Sequence, residues 1–228
     1  MSRLLRRRRV LQPIRQHSEV LPTGYRAVEW VGCDEQSVSS AVGPMIITDI
    51  AEGRLRNLSG YEIHISFSVS KPARAAGNQA TGCVMLAMSP LAGGYLCSTK
   101  NGRVGLSLEE RDDTCFQESI NCEDSHAYKI WWDNSGMKCE CENYLVSREY
   151  SSSDEQQELS IGRGSHSSYM PRWFVIYGNI QVYYDGELVA KYCPCYNVSS
   201  GEIGFYDTVG DVFYNNIGTV PFTRGADK

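Results

Sequence analysis

The chain has 228 residues, of which 42% are hydrophobic and 21% charged, with 21 glycines and 14 tyrosines. This is a globular composition that leans towards strands and turns, in a chain long enough to bury a core without staples. The net charge of −5 hides six arginines in residues 1–15, so the remainder carries −11, a field that repels nucleic acid and anionic membrane.

Residues 1–18 hold Arg3, Arg6, Arg7, Arg8, Arg9 and Arg15, and Pro13 breaks them. A block of like charge stays solvated, so the segment is predicted to be an arm ahead of one domain at 19–228. No apolar run follows the arginines as it would in a signal peptide: Gln12, Pro13 and Arg15 interrupt Val10, Leu11 and Ile14. No segment approaches the roughly 18 apolar residues of a membrane-spanning helix. The expectation is a soluble protein without classical export, with its nine cysteines as free thiols.

From residue 20 onward the hydrophobic period is two. Strands are predicted at 27–31 and 45–49, and most clearly at 61–69. There Tyr61, Ile63, Ile65, Phe67 and Val69 alternate with Glu62, His64, Ser66 and Ser68, giving one apolar and one polar face. Further strands are predicted at 83–88, 95–98, 104–108, 128–133, 138–142, 145–149, 158–162, 173–177, 180–184, 187–192, 203–206 and 212–214. Asn134-Ser135-Gly136 and Asp185-Gly186 read as hairpin turns between them. Many short strands without a helical pattern or a βαβ rhythm predict an all-β, two-sheet antiparallel sandwich.

Residues 21–31, LPTGYRAVEWV, resemble the "LPxGYxxLEYI" opening of a group of concanavalin-A-like, laminin-G-like proteins of bacteriophages, prophages and their hosts. Residues 178–192, GNIQVYYDGELVAKY, resemble that group's "GRIYYFKIYDNGxLVRDF" hairpin, and Cys193-Pro194-Cys195 falls at its "xPx". Residues 201–207 and 213–222 resemble its "GxxGLYDxVxxxFYxNxGTGxF" close. The likeness covers about residues 20–50 and 125–225; residues 33–44 depart from the group's "STGTQYIDTG" run. It implies a concanavalin-A-like jelly roll. It also implies a phage or prophage particle as the setting, or the bacterial cytoplasm before assembly. Apart from the resemblance, a final strand in a sandwich is expected to pair beside an early one.

The same sandwich carries glycoside hydrolases, which need two carboxylates about 5–5.5 Å apart when they retain configuration. The nearest Glu-x-Asp-x-x-Glu pattern is Glu110-Arg111-Asp112-Asp113-Thr114-Cys115, which ends on a cysteine. No nucleophile elbow, phosphate loop or His-Glu-x-x-His motif occurs, so no catalytic residue is assigned and the chain is not expected to be an enzyme.

No cofactor is expected either. Zinc at Cys139, Cys141, Cys193 and Cys195, or calcium at Asp207, Asp211 and Asn215, are the alternatives, and both rank below core thiols and ordinary turn residues.

A glycan site wants exposed aromatics beside fixed polar groups. Residues 165–173 supply His166, Tyr169, Arg172 and Trp173, and Trp132 joins them, since Trp131-Trp132 puts one indole on each face of a strand. Arg3, Arg6, Arg7, Arg8 and Arg9 are expected to anchor the chain to an acidic surface on other virion or cell-surface proteins; nucleic acid is disfavoured by the acidic body. The functional expectation is a non-catalytic virion structural or receptor-binding module, adhesin-like and compatible with a homo-oligomer. The alternatives are a bacterial carbohydrate-binding module outside a virion, or a glycoside hydrolase of the same fold.

Overall fold

The computed structural model describes residues 20–33, 46–48, 59–68, 84–89, 95–98, 104–107, 114–115, 120, 123–149, 158–161, 174–216 and 221–228. The described residues form strands and no helix. In chain order the first eight are β1 Tyr25–Ala27, β2 Trp30–Cys33, β3 Ile46–Thr48, β4 Tyr61–Ser68, β5 Val84–Ser89, β6 Tyr95–Ser98, β7 Val104–Ser107 and β8 Thr114–Cys115. Then come β9 His126–Asp133, β10 Gly136–Cys141, β11 Tyr144–Arg148, β12 Glu158–Ile161, β13 Phe174–Tyr184, β14 Glu187–Asn197, β15 Ile203–Asp207, β16 Val212–Asn215 and β17 Phe222–Arg224.

These strands make two antiparallel sheets. The larger has 11 strands, eight of them in the order β11-β10-β9-β4-β13-β14-β15-β16. The smaller has six, in the order β3-β12-β5-β6-β7-β8. They meet where β7 and β8 approach β11 and where β3 approaches β16. The all-β sandwich expected from the period-two pattern is the observed class.

One face of the large sheet is the core. Ile63, Ile65 and Phe67 of β4, Tyr128, Ile130 and Trp132 of β9, Met137 and Cys139 of β10, and Ile176, Ile180 and Val182 of β13 are all buried on it. Successive side chains in a strand point to opposite faces, so the residues between these form a second, outer face.

Turn chemistry fixes the register. Asp185 (φ 48°) and Gly186 (φ 81°) join Tyr184 to Glu187 in a two-residue loop with both central φ positive, the type I′ geometry whose twist matches a hairpin. Asn134 and Ser135 close β9 on β10, with Asp133 Oδ1 accepting from the Ser135 N–H at 2.8 Å.

The predicted strands at 173–177 and 180–184 are a single strand, β13. Between Tyr177↔Ser66 and Gln181↔His64, β13 advances four residues while β4 advances two. The two surplus residues form a bulge at Gly178 (φ 65°) and Asn179. An even surplus preserves side-chain parity, so Tyr177 and Gln181 stay on the outer face and Ile176 and Ile180 on the core.

The predicted strand at 187–192 likewise runs on, through Pro194 to Asn197. Pro194 has no N–H to donate, which normally bars proline from a central strand. Here pairing of β14 with β13 ends at Tyr192 and pairing with β1 begins at Cys195. Pro194 stands in the gap, and its carbonyl accepts from the Val28 N–H at 3.0 Å.

Beyond that point β13 and β14 diverge, and both ends of the chain fill the fork. β1 lies on β14, β2 on β13, and β17 on β2 with Phe222 opposite Cys33. Backbone bonds Glu29 N–H to Ala226 O, Gly225 N–H to Trp30 O and Lys228 N–H to Ala27 O, each 3.0 Å, complete the seam. The last strand beside an early one is the arrangement expected of a sandwich.

Candidate functional site

Of the residues singled out for a glycan, His166, Tyr169, Arg172 and Trp173 lie outside the described residues, as do Arg3, Arg6, Arg7, Arg8 and Arg9 of the arm. Trp132 is corrected. It is 2% exposed and packed in the core, so its ring cannot stack on a sugar. Its neighbour Trp131 points outward and is only half-buried. Which indole faces out is set by β4, where Ile63 pairs with Ile130 and Glu62 with Trp131.

The outer face of β10, β9, β4 and β13 is laid out in rungs. Directly opposed residues in antiparallel strands share a face. One rung runs Lys138, Trp131, Glu62, Tyr183, and the next runs Glu140, Lys129, His64, Gln181. Beyond them Ala127, Ser66 and Tyr177 form a third.

A groove of about 440 Å³ opens over the second and third rungs. It is lined by His64, Ser66, Lys129, Glu140, Glu142, Asn179 and Gln181 among others. The β13 bulge contributes Asn179, and the β10–β11 turn contributes Glu142, held at φ 55°. Trp131 and Tyr183 stand one rung away along β9 and β13.

The polar groups here are mutually engaged. Glu62 accepts from His64 Nε2 at 2.6 Å and from Lys129 Nζ at 2.8 Å. The ammonium of Lys129 also lies 5.6 Å from the Trp131 ring centroid, and the His64 ring sits 5.2 Å from that of Tyr183. Burial pushes the Glu62 carboxyl up, but the hydrogen bonds and charges of Lys129 and His64 outweigh it and hold the group below its ordinary range. Glu62 therefore stays ionised near neutrality, which suits a hydrogen-bond acceptor and not a proton donor. Lys138 and Ser135 hold Asp133 at about 2 by hydrogen bonding. Glu142 Oε1 lies 3.2 Å from His126 Nδ1.

The outer face at the other end, over β14, β15 and β16, is closed by apolar side chains. The Tyr25 ring lies 4.7 Å from that of Tyr206 and 5.1 Å from that of Phe213. Cys193 and Cys195 are buried beneath this cover, and burial raises the Cys195 thiol to about 12. On the core side, burial drives Cys139 up as well, and Cys141 to about 11.

The four-cysteine zinc alternative is overturned by topology. β10 and β14 are separated by β9, β4 and β13, about 19 Å at one strand spacing each. All four are free thiols, and no three ligating side chains converge among the described residues. The residues of the calcium alternative are engaged with protein partners. Asp207 Oδ1 accepts from the Lys191 and Val209 N–H groups, each at 3.0 Å, Asp211 accepts from the Tyr206 hydroxyl at 2.5 Å, and Asn215 donates to Glu202 at 3.1 Å. Glu110, Asp112 and Asp113 of the nearest hydrolase-like pattern lie outside the described residues.

Sequence reasoning missed the rungs. Their signal was the polar half of each alternating strand, which has meaning only once the strands are placed side by side.

No protein-family model and no curated protein matches the sequence. Among solved structures, the chain is similar to a heptameric SAP-like pentraxin from Limulus polyphemus, at 10% identity and a TM-score of 0.51, covering 88% of this chain and 96% of that one. It is similar also to a Trypanosoma rangeli sialidase in complex with sialic acid, at 10% identity and a TM-score of 0.46, over 62% of this chain. The chain spans only 24% of that sialidase. A glycosyl hydrolase family protein from Mycobacterium fortuitum follows at 12% identity and a TM-score of 0.33, with 61% and 74% covered. At such identities the likeness to the pentraxin concerns the fold alone.

Proposed function

We propose that the chain is a non-catalytic, lectin-like recognition module that presents the outer face of its large sheet to a glycan. The observation that carries this reading is the groove over β10, β9, β4 and β13, with the half-buried rings of Trp131 and Tyr183 beside polar groups already fixed by one another. Sugar rings stack on aromatic faces, and their hydroxyls take hydrogen bonds from groups that need no reordering on binding. Trp131 and Tyr183 flank Glu62 across two strand spacings, about 10 Å. Two linked pyranose rings can span that gap. Glu62, kept ionised by its partners, is suited to accept hydrogen bonds from sugar hydroxyls.

The setting in a phage or prophage particle, with Arg3 and Arg6 to Arg9 anchoring the module to an acidic neighbour, rests on the sequence resemblance. Neighbouring portal, capsid or tail genes are its expected sign.

The test of the function is binding of the purified full chain to a broad glycan array, repeated with Trp131→Ala and Tyr183→Ala. We expect at least one glycan class to bind and each substitution to weaken it about tenfold or more, as loss of a stacking platform should. A chain that binds no glycan overturns the reading. Turnover of a bound oligosaccharide would replace the module with a hydrolase.

A further inference from the structure

We infer that the groove selects uncharged glycans and turns away sialylated, uronic or sulfated ones. This deepens the proposed glycan reading and rests on it.

The cations at this face are already committed to carboxylates of the chain. The cation lining the groove, among the described residues, is Lys129. Its ammonium is 2.8 Å from Glu62 and near the Trp131 ring, so its charge is already offset by a carboxylate before any ligand carboxylate arrives. Lys138, in the adjacent rung, is paired in the same way with Asp133. Two carboxylates of the lining, Glu140 and Glu142, face the same space; Glu142 has one oxygen 3.2 Å from His126 Nδ1, and Glu140 sits directly across from Lys129 on β10. The His64 ring, also in the lining, is turned to Glu62 through Nε2.

A neutral sugar finds here acceptors in Glu140 and Glu142, donors and acceptors in Gln181 and Asn179, and aromatic rings one rung away. An anionic sugar finds two like charges and no uncommitted lysine among the lining residues. Like charge facing like charge in a partly desolvated groove excludes a ligand more effectively than any missing contact. The acidic body of the chain, at −11 outside residues 1–15, adds a long-range barrier of the same sign.

The test is an array of matched oligosaccharides, each as the neutral core and as its sialylated and sulfated forms, probed with the full chain at two salt concentrations. The neutral member of a pair is expected to bind about tenfold or more tightly than its charged form, a gap that narrows as salt rises. In Glu140→Gln/Glu142→Gln, which removes charge while keeping shape, the gap should shrink severalfold at low salt. Equal or stronger binding of the charged members overturns the inference and leaves the glycan reading standing. So does a gap unmoved by the double substitution. Failure of every glycan, neutral or charged, instead sinks the reading beneath it.

Discussion

The two halves of the large sheet share one core face and differ on the other. In the half made by β11, β10, β9 and β4, neighbours in space are joined by two-residue turns or meet along one long alternating strand. Its outer face is polar, and Glu62, His64 and Lys129 tie themselves together there. In the half made by β14, β15 and β16, with β1, β2 and β17 set into the fork, the ends of the chain meet over a separation of nearly 200 residues. There the outer face is shut by Tyr25, Tyr206 and Phe213 over buried thiols. The half that holds the chain's distant segments together has both faces covered, whereas the other half leaves one face polar and open, and that open face is where recognition is proposed.

The comparison can be broken at its common face first. Ile65 is 2% exposed in the middle of β4, and Ile65→Asp would bury a charge with no partner. We expect no folded protein, and a cooperative thermal transition in this variant would refute the shared core.

Next comes the contrast of adjacent residues on β9. Trp132→Ala should cost about 3–5 kcal/mol by opening a cavity in the core. Trp131→Ala should cost less than about 1 kcal/mol, because its side chain faces outward. Chemical denaturation of the two variants reads both, and similar losses would mean that the assignment of faces is wrong.

The closed half is probed at Gly204. An added Cβ would collide with the Tyr214 carbonyl oxygen, a backbone atom that cannot move without disturbing β16. Gly204→Ala should destabilise by about 1–3 kcal/mol, and a neutral effect would show that β15 and β16 are not so close.

A smaller effect belongs to the open half. Because the folded Glu62 carboxyl is held below its ordinary value of 4.5, its contribution is fully present above that pH and is lost as pH falls through the lower folded value. The melting temperature of the parent should therefore drop on acidification below pH 4.5 by slightly more than that of Glu62→Gln. Parallel acid limbs would remove Glu62 from the network. The smallest effect is expected from deleting residues 1–18, which should leave the melting temperature nearly unchanged, since a solvated block of like charge adds no core. A fall of many degrees would make that segment part of the fold.

Alternation alone made the sandwich legible. Tyr61 to Ser68 has the burial pattern its sequence announces, because apolar residues spaced by two have only one way to leave water together. The Asp185-Gly186 turn was equally readable, since positive φ at two successive residues leaves few choices of side chain. The break read between 177 and 180 was a bulge inside one strand, and glycine marks both alike. The stop read after 192 was a change of partner, invisible until the fork places Val28 opposite Pro194. The site was least legible. Trp132 and Trp131 are identical in chemistry, and local pattern puts them on opposite faces without saying which face meets the second sheet.

By itself the sequence determined the class of fold, the hairpin turns and the apolar side of β4, because these follow from periodicity and from backbone sterics within a few residues. Only the tertiary structure decided that Glu62, His64, Lys129, Trp131 and Tyr183 share a face, that four cysteines on β10 and β14 stand far apart, and that both ends of the chain occupy one fork. Those are statements about register between distant segments. Register is set by the packing of whole strands against one another, a sum over many contacts that no local window of residues contains.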